Sequence, residues 1–153
     1  MTETNPTMSE DFIGSVQRRM LEAGLPDAEL VASQGDASHF GDALAIYRIG
    51  PLLLRVTRER SLEFIDIGAA DEPDLLYQLD DIEVAFGWVS MDDVLLKQYP
   101  EDLEVVLARV SRRLSGLQRA LSGDRASPTR ARIAKAESRR GVALASRFGA
   151  SRP

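Results

Sequence analysis

Apolar residues fall into different rhythms along this chain, and the rhythm changes twice. Phe12, Ile13, Val16 and Met20 recur at helical spacing. Thr7-Met8-Ser9-Glu10 offers N-cap hydroxyls, and Gly24 followed by Pro26 is a stop, so the sequence predicts a first helix over about residues 9–23. Glu29–Gln34 reads as a short strand and Gly35–Ser38 as a loop. The period then shortens. Ala43–Ile49, Leu52–Glu59 and Leu62–Ile67 are rich in Leu, Ile, Val, Tyr and Phe and are broken at Gly50-Pro51 and Arg60-Ser61, the spacing of two successive hairpins. Leu52, Leu54 and Val56 point one way, Leu53, Arg55, Thr57 and Glu59 the other. One apolar and one mixed face predict an antiparallel sheet covered by helices on one side.

After a turn at Ala69–Pro73 the helical rhythm returns. Asp80-Asp81-Ile82-Glu83 has the form of a capping box, with Gly87 as its stop, and Ser90-Met91-Asp92-Asp93 begins another short helix that ends before Pro100. Pro100-Glu101-Asp102 then opens what reads as the longest helix, its acids suited to the positive end of the helix dipole. Leu103, Leu107, Val110, Leu114, Leu117 and Leu121 form a strict apolar seam along it, with Arg109, Arg112, Arg113 and Arg119 largely outside, and Gly123 ends it. Such a seam is the face with which a long helix covers a sheet, or else the joint of a homodimeric coiled coil. Ser127-Pro128 restarts helix, and Thr129–Phe148 is Ala- and Arg-rich but thin in apolar residues (Ile133, Val142, Leu144, Phe148).

The expected fold class is α+β: an N-terminal helix, an antiparallel meander of three to four strands, short helices, a long C-terminal helix and a basic helical tail. Residues 1–8 are expected to form a flexible start, 9–123 the α+β domain, and 124–153 a basic extension, either helical or disordered.

Charge sharpens this picture. Residues 1–108 carry 7 Lys and Arg against 22 Asp and Glu, a net of −15, whereas residues 109–153 carry 12 against 2, a net of +10. The overall −5 hides an acidic body joined to a basic tail, an asymmetry that points to an interaction with a charged macromolecule or with another copy of the chain. No apolar run reaches the roughly 18 residues of a membrane span, and the acidic start lacks the form of a secretory signal. With no cysteine there are no disulfides, thiolate nucleophiles or cysteine zinc sites, and a cytoplasmic protein is the plain expectation.

Candidate chemistry is sparse. His39, in Ser38-His39-Phe40-Gly41-Asp42, is the single histidine. It could act as a general base oriented by Asp42, but a loop histidine before a strand is the simpler reading. No phosphate loop, dinucleotide fingerprint, serine elbow or zinc-protease helix is present. The expectation is therefore a binding protein without catalysis, cofactor or metal. Asp71, Glu72, Asp74, Asp80, Asp81, Glu83, Asp92 and Asp93 cluster in the acidic body. They read as a solvated surface, some capping helices, or as a negative face that steers a basic protein toward it. Trp88 is either an anchor for that partner or a residue packed at the core edge. Arg125, Arg130, Arg132, Lys135, Arg139, Arg140 and Arg147 could hold nucleic acid by charge, or fold back on the acidic body. Arg55-Val56-Thr57-Arg58-Glu59-Arg60, flanked by Glu63 and Asp66, reads as a ladder of opposite charges.

The stretch from Phe40-Gly41-Asp42-Ala43-Leu44 through Leu53-Leu54-Arg55-Val56-Thr57-Arg58-Glu59-Arg60-Ser61-Leu62-Glu63-Phe64-Ile65-Asp66-Ile67 to Tyr77-Gln78-Leu79-Asp80-Asp81-Ile82 resembles small bacterial immunity-type proteins found beside polymorphic toxins. That family has an Arg-Asp-Arg-Gly-like hairpin; here it reads Arg58-Glu59-Arg60-Ser61, without the glycine. The resemblance spans about residues 9–121 and implies a neutralising, toxin-binding protein with no catalytic residue. The alternative class is a nucleic-acid-associated or scaffold protein acting through its Arg-rich arm.

Overall fold

Alternating burial along the chain between residues 42 and 69 builds the centre of the molecule. The computed structural model describes residues 6–36, 42–97, 101–122 and 126–149. Helix α1 (Pro6–Glu22) leads into strands β1 (Glu29–Asp36), β2 (Asp42–Ile49), β3 (Leu52–Glu59), β4 (Leu62–Ala69) and β5 (Leu76–Gln78). Helices α2 (Leu79–Ala85), α3 (Met91–Leu96), α4 (Leu103–Leu121) and α5 (Ala126–Gly149) follow. The sheet is an antiparallel meander in the order β1-β2-β3-β4-β5. It thus has five strands rather than three to four. The additional strand, β5, has three residues, too few for alternation to show in sequence.

Cross-strand register sorts the side chains cleanly. Ala45, Val56 and Ile65 lie in one cross-strand row, and Tyr47, Leu54, Ile67 and Tyr77 in the next, on the face that meets α1 and α4. Phe12, Val16 and Met20 of α1 and Leu103, Leu107, Val110, Leu117 and Leu121 of α4 close over them in one continuous core. The α4 seam is 0–3% exposed at those five positions, with Leu114 half-buried beside them. Its six residues are therefore spent on the chain's own sheet and leave no free stripe for pairing two chains. On the opposite face lie Leu44, Ile46, Arg55, Thr57, Phe64 and Asp66, all half-buried, with Arg55 donating to Asp66 at 2.9 Å. Arg58 lies over the Phe12 ring, 4.9 Å from its centroid, and Arg19 donates to both Glu63 oxygens at 2.8 and 2.6 Å. Glu63 holds the Arg19 guanidinium charged more firmly than usual, against the opposing effect of burial.

Two tight loops fix the register. In β2–β3, Gly50 takes φ +57 at the first of two loop positions, where a primed turn needs it. In β3–β4, Arg60 and Ser61 both take positive φ (50° and 69°), the demand of a type I′ turn met without glycine. Asp42 helps by accepting from the Arg60 amide at 2.9 Å. Further on, a Cβ at Gly68 would sit 2.3 Å from the Leu75 carbonyl oxygen, so only glycine admits the chain that enters β5.

The tail is a helix. α5 runs for 24 residues and is longer than the 19-residue α4. It packs chiefly on α2, with further contacts to α4 and α3. No helix among the described residues is long and apolar enough to cross a membrane.

A non-glycine residue at left-handed φ costs about 1–2 kcal/mol, partly offset in glycine by the greater freedom of the unfolded chain. Ser61→Gly is accordingly expected to raise the unfolding free energy by about 1 kcal/mol. Urea titration of the two proteins, with unchanged m-value, is the check.

Candidate functional site

Three of the eight acids singled out by sequence, Asp80, Asp81 and Glu83, lie on α2, a seven-residue helix. The capping-box reading fails there. The N-cap is Gln78, no side chain caps the helix, and Asp80 and Asp81 sit in the first turn. At 100° per residue, Asp80 and Glu83 project together toward α4 while Asp81 projects toward α5. The two sides of α2 therefore meet two different sets of cations.

On the inner side, Glu83 is 1% exposed. It accepts from Arg109 Nη2 at 2.8 Å and from Arg113 Nε at 2.6 Å, two arginines one helical turn apart on α4. Arg109 also donates to Asp80 at 2.8 Å and to both Glu101 oxygens at 2.5 and 2.6 Å. Lys97 joins by donating to Asp80 at 3.0 Å and to Glu101 at 3.4 Å. Three carboxylates face three cations, so the network is neutral and leaves no charge over for a partner. Burial opposes the charge on Arg109, but hydrogen bonding to Glu101 and attraction to Glu83 and Asp80 outweigh it and raise its pKa. Beside the network lies a cleft of about 40 Å³, lined in part by Gln78, Asp80, Glu101 and Arg109, with room for little more than a water or two.

On the outer side, Arg140 makes a two-pronged pair with Asp81, Nε to Oδ1 at 2.8 Å and Nη2 to Oδ2 at 2.9 Å. Arg130 pairs with Glu72, Arg132 lies over the Phe86 ring at 5.8 Å, and the buried Thr129 hydroxyl donates to the Ala120 carbonyl at 2.7 Å. Ile133 and Ala136 supply the apolar contact, 0% and 3% exposed. Asp81 is itself 3% exposed; burial pushes its carboxyl pKa upward, against the lowering effect of Arg140.

Trp88 packs at the core edge, not as a free anchor. It stacks on Phe86 at 5.3 Å and lies under Arg113 at 5.0 Å, and its ring would stand 3.1 Å from a Cβ at Gly116. Asp71, Asp74, Asp92 and Asp93 remain exposed, with no ion pair among the described residues. Ser90 caps α3 by accepting from the Asp93 amide at 3.1 Å. Lys135 and Arg139 point outward from α5, and Arg132 is exposed alongside them. Arg147 lies on α5 by its backbone, while Arg125 and His39 fall outside the described residues. Asp42, nominated as the orienting acid for His39, accepts from the Arg60 amide. No three metal-ligating side chains converge among the described residues.

Sequence reasoning therefore missed the inner partners of the acids: Lys97, Arg109 and Arg113. Spacing held a faint signal, because Asp80/Glu83 on one helix and Arg109/Arg113 on another each share one helix face. Comparison with known proteins adds nothing to this geometry, since no family model, curated protein or solved structure matches the chain.

Removing one member of a buried charge cluster strands the others, at a cost of about 3–5 kcal/mol. Glu83→Ala is thus expected to lower the unfolding free energy by about 3 kcal/mol or more, read by denaturant titration. Asp81 carries a pH signature of the opposite sense to an ordinary salt-bridged acid. With its folded pKa raised above the ordinary 3.8, its contribution is greatest below that value and declines as pH rises through the raised one. The unfolding free energy of the wild type minus that of Asp81→Asn should fall with pH across that window and be level above it. A difference that rises with pH would contradict the assignment.

Proposed function

We propose that the protein is a non-catalytic protein-binding module, of the immunity kind that neutralises a toxin by covering a basic surface on it. One observation carries this reading. After the internal pairs are formed, Asp71, Asp74, Asp92 and Asp93 are left exposed and without an ion pair among the described residues, so negative charge persists on the outside of a body that has already neutralised its buried acids. Exposed carboxylates of this kind steer encounter with a basic partner and suppress acidic ones. Asp80 and Glu83 do not belong to that contact surface, because their charges are committed to α4, and Asp81 is covered by Arg140 of α5. The resemblance of residues 9–121 to immunity-type proteins agrees with this assignment and supplies the partner class, a basic toxin such as a nuclease.

A second reading is favoured by a different feature. Arg132, Lys135 and Arg139 lie at i, i+3 and i+7 on the exposed face of α5, a short cationic stripe that a nucleic-acid backbone could follow. It has fewer members than the sequence offered, since Arg130 and Arg140 turn inward to carboxylates.

Co-expression with the products of the neighbouring reading frames separates the two. The module reading expects a stable complex whose affinity falls about tenfold or more when Asp71, Asp74, Asp92 and Asp93 are all replaced by asparagine, with a weaker salt dependence. Unchanged affinity and salt slope in that variant would dispose of the acidic surface. Retention on heparin that is lost in Lys135→Glu/Arg139→Glu would instead support the second reading.

A further inference from the structure

The outer side of α2 is covered by the chain's own helix α5, and the way it is held differs from the way α4 is held. Among the described side chains of α5, only Ile133 and Ala136 are buried apolar contacts; α4 has six, from Leu103 to Leu121. What fixes α5 otherwise is charge and one hydroxyl: Arg130 on Glu72, Arg140 on Asp81, Arg132 over Phe86, Thr129 on the Ala120 carbonyl. The opposite face of the helix is mostly polar, with Val142 67% exposed on it, and its Ala- and Arg-rich sequence favours helix without help from packing. Detached, α5 would leave a groove bearing Asp81 and Glu72 beside the already exposed Asp71 and Asp74, next to the open face of the Phe86 ring. Carboxylates flanking an aromatic face are a receptor for guanidinium groups.

The geometry points to this groove as the docking site for a basic amphipathic helix of the binding partner, with α5 as the tethered stand-in that the partner displaces. This rests on the protein-binding reading above and names the partner's recognition element. The fit is specified by α5 itself: two arginines ten residues apart, about 15 Å along a helix, with one branched and one small apolar residue between them. The partner is favoured over a second copy of this chain because every copy brings its own α5, tethered at high effective concentration. A partner helix succeeds by adding further basic residues that reach Asp71 and Asp74, which have no ion pair among the described residues.

The test uses the full chain and a fluorescein-labelled peptide with the sequence of residues 126–149, followed by anisotropy. In the wild type the groove is filled and the peptide should bind weakly. In the full-length Arg130→Glu/Arg140→Glu variant the tether is loosened while the groove is intact, and binding should tighten at least tenfold. Adding Asp81→Lys should abolish that gain. Equal binding to wild type and variant overturns the proposal, and so does a variant that loses its cooperative unfolding transition, since α5 would then be part of the core. Hydrogen exchange on the wild type is an independent arm. Amides of α5 should exchange at least tenfold faster than those of α4, and equal protection counts against displacement. A wild type that is dimeric by light scattering, with α5 exchanged between copies, would assign the groove to a second copy and overturn the heterologous occupant. Peptide binding without any complex from co-expression would preserve the groove and remove the immunity reading; a complex without peptide binding would do the reverse.

Discussion

Glu83 is the constraint around which the C-terminal half is arranged. A carboxylate with 1% exposure is tolerable in a fold only when cations stand at hydrogen-bond distance, and here two arginines of α4 supply them. α2 is too short to hold helical form alone. It keeps its shape because Glu83 and Asp80 are clasped from one side, Ile82 and Leu79 are sunk in the core, and β5 delivers the chain directly into its first turn. That clasp also sets the rotation of α4, which aims Leu103, Leu107, Val110 and Leu117 at the sheet.

Seen from this centre, the separation of charge along the sequence is mostly a means of joining distant parts of one molecule. Arg109, Arg113, Arg130 and Arg140 each find a carboxylate between 8 and 59 residues away in sequence. A lopsided linear charge distribution does not by itself imply a lopsided surface. Charge of both signs remains outward, from Asp71, Asp74, Asp92 and Asp93 to Arg132, Lys135 and Arg139, and that remainder, not the gross asymmetry, is what a partner would meet.

Much of the fold was legible in the sequence for local reasons. Hairpin breaks at Gly50-Pro51 and Arg60-Ser61 and the alternation in β2 depend on neighbours along the chain, and so does the α4 seam, whose sheet-covering role is what the structure adopts. The candidate site was legible only in half. The acids of α2 were visible as a cluster, but consecutive Asp residues ahead of an apolar residue look like caps, and nothing local distinguishes them from groups bonded across 26 to 59 residues. α5 was obscured for a related reason: its thin apolar content reads as marginal until Asp81 and Glu72 are seen beneath it. β5 escaped through brevity alone.

The guanidinium groups around α2 differ in their access to water. Side-chain exposure is 12% for Arg109, 21% for Arg140, 31% for Arg113 and 39% for Arg130. Dissolved ions screen the wetter pairs first. Ionic strength thus acts on this molecule as a graded solvent, peeling from the outside before it touches the kernel, so that the chain carries within it an order of opening set by how deep each guanidinium lies.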